Sequence, residues 1–274
     1  MMRGARREIR NVRLAQALDS IDAFLVSYPK SGRTWLRFAL SQYFARVADL
    51  GITPDLNSTF RILPNFDRDR VRGLPAFIGK RPGLPLIAVS HLSYTPSFFA
   101  RHPVILLVRD PRDVMVSAYF HATRHKHRFS GDIASFLADR HQGVAAYIQY
   151  LNGWADRAAD GDMIVLSYEV MSSDPVMEMG RMLRFMGLPV DHDALDRAVA
   201  ASRFDAMRKL EQQDGIPGHD YDRADEQSLR MRKGKVGGYA EHLKGDDALY
   251  ILDQCNNRLT PQARDLLTDT GVTL

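Results

Sequence analysis

The sequence predicts an α/β fold: a central, mostly parallel sheet flanked by helices, carrying a glycine-containing strand–loop–helix and a helical C-terminal part. Three observations predict it. Short unbroken apolar runs, the mark of strands buried on both faces, alternate with stretches of helical spacing. Such alternation implies parallel strands joined by crossover helices. After about residue 190 no strand-like run occurs.

In chain order, residues 1–20 form a basic segment whose first thirteen residues set Arg3, Arg6, Arg7, Arg10 and Arg13 against only Glu8. It reads as a flexible, solvated stretch. A transit peptide or a contact with an anionic membrane are the other readings, and no apolar segment suggests secretion. Ala23–Ser27 (AFLVS) is a buried strand, followed by a turn and a helix over Thr34–Ala45 with Trp35, Phe38 and Ala39 on one face. Residues 49–83, with four prolines, are irregular. Leu84–Ser90 and Val104–Val108 are the next strands, the second rich in β-branched residues with Pro103 admissible at its start.

Helical spacing resumes over Arg112–His125 and Gly143–Ala159. Met163–Leu166 is a fourth strand, and Pro175–Phe185, Asp191–Gln212 and Asp246–Leu267 are helical. Residues 213–238, rich in glycine and charge, form a loop too long to be a mere connection and read as functional. Without internal repeats or low-complexity tracts, residues 1–274 read as one domain.

Bulk properties narrow the chemistry. The net charge of +4 favours anionic ligands without implying nucleic acid. Cys255 is the only cysteine, which excludes an internal disulfide and suits a reducing, cytoplasmic setting. No apolar run reaches the ~18 residues of a membrane-spanning helix.

Three segments carry chemistry. In Phe24–Trp35 a strand runs through Tyr28-Pro29-Lys30-Ser31-Gly32 into a helix. Gly32 lets the backbone approach a ligand, the helix N-terminus offers unpaired N–H groups, and Lys30 adds a full charge, so the loop is an anion cradle. A Walker A loop would place its lysine after the second glycine; here Lys30 precedes Gly32 and the first glycine is missing. An ordinary strand–helix turn with an exposed lysine is the plainer alternative.

In Val104–Tyr119, Arg109 stands at the C-terminal end of a strand, where open α/β sheets bind ligands, and Ser117 adds a hydroxyl two turns later. Alternatively, Arg109, Asp110, Arg112 and Asp113 form a local ion-pair net around the helix start. In Arg232-Lys233-Gly234-Lys235-Val236-Gly237-Gly238-Tyr239, three cations and three glycines suit a strap over phosphate, or a solvated basic loop.

Together and in this order, these segments resemble the sulfotransferases that use 3′-phosphoadenosine-5′-phosphosulfate (PAPS). Tyr28–Trp35 resembles that family's 5′-phosphosulfate loop, usually Y-P-K-S-G-T-T-W. Arg109 with Ser117 resembles its 3′-phosphate site, and Arg232-Lys233-Gly234 with Val236-Gly237 its late R-K-G-x-x-G motif. Tyr168-Glu169 resembles a pair whose tyrosine lies against adenine. The matched features span residues 24 to 239.

The resemblance implies that Lys30 binds the 5′-phosphate and the bridging oxygen of the leaving group. Ser31, Gly32, Arg33 and Thr34 would donate to the same phosphate, and Trp35 would stack on adenine or serve the core. Arg109, Ser117, Arg232, Lys233 and Gly234 would hold the 3′-phosphate. His91, after the second strand, occupies the place of a catalytic histidine and would accept the proton of an acceptor hydroxyl. A lone structural histidine is the alternative.

Three positions depart from the pattern: Arg33 replaces a threonine, Val89 stands where a lysine is common, and Gly238-Tyr239 replaces D-W. The C-terminal dimer signature is not evident. No metal is implied, and His121, His125 and His127 read as a substrate-facing or solvated cluster. A nucleotide-dependent kinase and a catalytically silent nucleotide-binding protein are the competing classes. The acceptor stays open between hydrophobic, suggested by Phe60, Phe66, Phe77, Phe98 and Phe129, and sugar or anionic, suggested by the many charges. Residues 49–83 and 120–130 and the loop before Arg232 are expected to shape its pocket.

Overall fold

The computed structural model describes residues 14–158, 162–217 and 220–274. The arginines of the N-terminal basic segment lie outside them. Four strands, β1 (Ala23–Ser27), β2 (Ile87–Ser90), β3 (Val104–Val108) and β4 (Met163–Ser167), form a parallel sheet in the order β2-β1-β3-β4. Every residue of β1, β2 and β3 is buried, as continuous apolar runs require when both faces of a sheet are covered.

Helix α1 (Arg33–Val47) follows β1, α2 (Pro111–Phe120) follows β3, and α3 (Val144–Ala158) leads to β4. Then come α4 (Tyr168–Ser173), α5 (Pro175–Phe185), α6 (His192–Ala201), α7 (Phe204–Asp214), α8 (Gly245–Arg258) and α9 (Pro261–Thr268). Residues of α2, α3, α8 and α9 pack on one face of the sheet, and residues of α1, α5 and α6 on the other. Cys255 is fully buried in the first of these layers. Among the described residues no helix is long and apolar enough to cross a membrane.

The topology fixes where a ligand can go. The chain leaves β1 toward β2 on one side and returns to β3 on the other, so the loops after β1 and β3 diverge from adjacent strands and open a crevice between them. Because all four strands run the same way, Tyr28–Gly32, His91, Arg109 and Tyr168 all emerge at one edge of the sheet.

Several boundaries differ from the periodicity. The second strand begins at Ile87 rather than Leu84, since Pro85 has no N–H to give a ladder. The helix expected to run from Arg112 to His125 changes at Phe120 into a single π-helical turn, His121–His125. The stretch Asp191–Gln212 is two helices, parted where Arg203 turns extended (φ −58°, ψ 145°). The stretch Asp246–Leu267 is broken by Thr260, whose hydroxyl caps α9, and by Pro261, which opens it.

Of the expected loop 213–238, residues 213 and 214 close α7, and the described residues from 215 to 237 hold no regular element but are pinned at two points. Buried Glu211 accepts the N–H groups of Arg230 and Met231, each at 2.8 Å, and the Tyr221 hydroxyl at 2.7 Å. Buried Asp113 accepts the N–H groups of Gly237 at 3.0 Å and Tyr239 at 2.8 Å. Hydrogen bonds to a charged acceptor are worth roughly 1.5–3 kcal/mol each. Glu211→Ala should therefore lower unfolding stability by roughly 3 kcal/mol or more and speed hydrogen exchange at the Arg230 and Met231 amides. Unchanged exchange there would mean that the strap is anchored elsewhere.

Candidate active site

Chain reversal after β1 takes an unusual backbone. Lys30 (φ 77°) and Gly32 (φ 98°) both lie in the left-handed region, and Gly32 caps α1 without any side-chain bond to its N-terminal amides. No acidic residue occupies the first turn, so the positive end of the helix is left for a ligand. Gly32 is required twice over: a Cβ there would stand 2.4 Å from Cδ2 of Tyr168. Tyr168 lies against the loop, with the Trp35 ring centre 5.6 Å away and the Arg109 guanidinium 4.1 Å above its ring.

Arg109 ties this loop to the late strap. It donates to the Lys30 carbonyl at 3.3 Å and the Lys235 carbonyl at 3.2 Å, and pairs with Asp113 at 3.3 Å. The expected ion-pair net thus divides its labour. Asp110 caps α2 through the Arg112 N–H at 2.8 Å and pairs with the Arg112 side chain, while Arg109 and Asp113 serve the crevice.

The crevice is a cavity of about 750 Å³. Lys30, Gly32, Arg33, Thr34, Trp35, His91, Arg109, Ser117, Tyr168, Arg232, Lys233 and Gly234 all line it, so segments far apart in the chain meet in one place. Of the expected residues only Ser31 stays behind the lining, its hydroxyl buried without a protein partner. The strap enters over Phe204, whose ring a Cβ on Gly234 would meet at 2.2 Å. Arg232 sits 4.4 Å over the Phe120 ring and bonds Nε2 of His242 at 2.9 Å; Lys233 pairs with Glu241.

His91 turns its Nδ1 toward the Ser27 carbonyl, 2.7 Å away. A carbonyl can only accept, so Nδ1 carries the proton and Nε2 keeps its lone pair. Desolvation beside the cleft walls lowers the imidazole well below 6.5 although His91 is exposed to the open cleft, and the neighbouring Arg33 and Arg230 push the same way. The Lys30 ammonium is pushed down to about 7, chiefly by desolvation and then by Arg230, with Glu211 opposing.

A model of the sulfotransferase domain matches residues 20–262. The chain belongs to the sulfotransferase family. Human sulfotransferase 2B1 is 28% identical over 68% of this chain but only 52% of its own length, so the chain spans about half of that relative. Mouse sulfotransferase 2A6 is 26% identical over 81% of this chain and 78% of its own. Cytosolic sulfotransferase 17 of Arabidopsis thaliana is 29% identical over 81% and 69% respectively.

Among solved structures, mouse sulfotransferase SULT7A1 complexed with PAP superposes with a TM-score of 0.63 at 21% identity, covering 94% of both chains. A retinol dehydratase in complex with retinol and PAP gives 0.61 at 18% identity, over 92% of this chain and 83% of the other. These two show the sulfotransferase fold.

The family's loop and strap were legible, but other cavity residues were not. Arg37, Arg72, Arg230 and Phe204 line the same cavity and carried no motif. Arg37 alone had a signal, being one turn after Arg33 on α1. His121, brought in by the π-helical turn, also lines the cavity, and its ring stacks on His125 with centres 4.7 Å apart. Among the described residues no group of three or more His, Cys, Asp or Glu is placed to share a metal ion. Of the five phenylalanines weighed for a hydrophobic acceptor only Phe60 reaches the cavity; Phe66 and Phe98 belong to the core, and Phe77 and Phe129 pack against it.

Gly32→Ala should cost roughly 1–3 kcal/mol of stability through the forced φ and the Tyr168 clash. It should also abolish binding of adenosine 3′,5′-bisphosphate in a calorimetric titration. Retained binding would show that the loop does not need this backbone.

Proposed function

We propose that this chain transfers the sulfuryl group of PAPS to an acceptor hydroxyl in the cytoplasm, with the acceptor proton passing to His91. The observation that carries the reading is the meeting of Lys30, Arg109, Arg232 and His91 in one crevice. The two superposable structures that contain PAP support the donor, and the name of the plant relative supports the compartment.

The residues fit such a nucleotide. The loop after β1 brings an open helix N-terminus and Lys30 to the cleft, and Arg109, Ser117, Arg232 and Lys233 offer guanidinium, hydroxyl and ammonium donors in the same lining. The Arg109 Nε and the Ser31 hydroxyl are buried without protein partners, as groups awaiting an anion would be. Trp35, Tyr168 and Phe204 supply aromatic walls for a base.

PAPS supplies an activated sulfuryl group on a phosphate leaving group, chemistry in which enzymes mainly position reactants and stabilise spreading charge. His91 holds the acceptor hydroxyl through Nε2 and takes its proton as that oxygen bonds to sulfur. Lys30 and the α1 N-terminus stabilise the charge left on the phosphate oxygen as its bond to sulfur breaks. Arg33, where the family loop usually has threonine, gives the start of α1 a charged side chain in place of a hydroxyl. Anion binding also offsets the part of the His91 depression that Arg33 and Arg230 cause, while the larger part, due to desolvation, remains.

His91→Ala should lower kcat by roughly 10²–10⁴-fold and Lys30→Ala by roughly 10²-fold or more, with the fold retained. Labelled-sulfate transfer over an acceptor panel reads both. The function needs Lys30 protonated, so kcat/KM for the donor should fall as pH rises through about 7, while His91 sets an acid limb well below 6.5. Turnover of His91→Ala at the wild-type rate would move the base elsewhere. Preference for ATP–magnesium over adenosine 3′,5′-bisphosphate would favour a kinase, and tight nucleotide binding without transfer a silent binder.

A further inference from the structure

Ten cationic side chains among the described residues line the cleft. PAPS bears about four negative charges, roughly two on the phosphate monoester and one on each half of the anhydride. Lys30, Arg109, Arg232 and Lys233 serve it in the proposed reaction, Arg109 while paired with Asp113 and Lys233 while paired with Glu241. Among the described residues Asp113 is the one carboxylate in the lining, its oxygens taken by Arg109 and by the Gly237 and Tyr239 amides, while buried Glu211 acts on Arg230 and Lys30 from behind it.

Arg33, Arg37, Arg72 and Arg230 line the same cavity and remain beyond this set. Two of them sit on the side of His91: Asn65, which accepts from Arg37, donates its N–H to the Arg72 carbonyl at 2.7 Å and pairs with Val89, two residues before His91. Arg33, Arg230 and Arg37 all act electrostatically on that imidazole, and Arg72 in turn acts on Arg37 and Arg230.

Arg33 and Arg37 stand one turn apart on the same face of α1, where like charges repel. Among the described residues no carboxylate forms a salt bridge with either. Asp67 is the nearest acidic influence on both, and its Oδ1 accepts the Asp69 N–H at 2.9 Å; Arg72 is only loosely paired with Asp69, at 3.8 Å. Arg37 is 5% exposed, and its Nε is buried without a hydrogen-bond partner. Its Nη2 donates to the Asn65 Oδ1 at 2.6 Å, and its guanidinium lies 4.4 Å over Phe60. The one weighed phenylalanine that reaches the cavity thus has its face covered by a cation. Burial and mutual repulsion lower the pKa values of both Arg33 and Arg37, so the cluster is held against its own charge.

We propose that the acceptor is itself anionic, its carboxylate, phosphate or sulfate held by Arg33, Arg37, Arg72 and Arg230 while its hydroxyl meets His91. The inference rests on the sulfotransferase reading of the same cleft and names the substrate class for it. An anion seated there satisfies Arg37 and relieves the repulsion. Planar guanidinium forks suit all three groups bidentately.

The test loads the full chain with adenosine 3′,5′-bisphosphate and titrates it calorimetrically with matched ligands. The first set is a hexose, its 6-phosphate, its 6-sulfate and the hexuronate. The second is phenol beside hydroxybenzoate, hydroxyphenyl phosphate and hydroxyphenyl sulfate. At least one anionic member should bind about tenfold or more tighter than its neutral parent at low salt, with the advantage shrinking as salt rises. The preferred member distinguishes carboxylate, phosphate and sulfate. Arg72→Gln should erase most of the advantage while leaving bisphosphate binding intact. Arg37→Gln should do the same if it folds, and Arg72→Gln decides alone if it does not.

Equal binding of neutral and anionic members, no binding of any member, or an advantage unmoved by Arg72→Gln would overturn the inference while leaving the donor reading standing. Failure of the chain to bind the bisphosphate at all would instead sink the donor reading, and the inference with it.

Discussion

The pair formed by Arg109 and Asp113 is the contact on which the cleft depends. Arg109 reaches the carbonyls of Lys30 and Lys235, and Asp113 receives the amides of Gly237 and Tyr239, so two basic segments far apart in sequence are tied to one helix start. The Asp113 side chain is 3% exposed and the Arg109 side chain 12%. Removing one partner of such a pair leaves an uncompensated charge and costs roughly 3–5 kcal/mol. Without it the strap would be repelled by the loop it has to cover. Glu211 repeats the device at the far end of the strap. In both places a buried carboxylate accepts backbone N–H groups and so fixes a basic chain segment without using up its cationic side chains.

The parallel sheet makes this economy possible. Four strands pointing the same way deliver their following residues to one edge, and the reversal of strand order between β1 and β3 opens a gap there. Backbone groups at that edge have no further ladder partners. Ser27 uses its carbonyl to hold His91, and Asp110 caps α2 while its own N–H is taken by Glu169 at 3.0 Å. The groups that would touch substrate are therefore oriented by strand ends rather than by flexible side chains.

What could be read from the sequence was what local physics decides. Ala23–Ser27 and Val104–Val108 have the predicted bounds because an all-apolar run can only be a doubly covered strand, and the glycine–lysine loop announces itself by chemistry that a turn alone does not need. Breaks set by one or two residues escaped. Periodicity runs straight across Arg203 and Thr260, and nothing in His121–His125 distinguishes a π-helical turn from an α-helical one. Arg72 and Arg230 were invisible for another reason, and Arg37 showed only its spacing from Arg33. On a helix or in an irregular stretch an arginine reads as solvated, and only the fold shows these three lining one cavity. The phenylalanines misled in the opposite sense, since composition cannot separate a core ring from a pocket wall.

Lys30 and His91 answer to the same electrostatic field. Desolvation and neighbouring cations depress both, which disfavours the charged lysine and weakens the imidazole as a base. An anion entering the cleft acts on both at once: it restores the charge on Lys30, which the leaving group requires, and raises the basicity of His91, which the acceptor requires. In the proposed reaction the donor thus completes the catalytic groups that act on it. With the proposed anionic acceptor, the arginines near His91 would extend this logic, since a second negative charge would offset theirs as well.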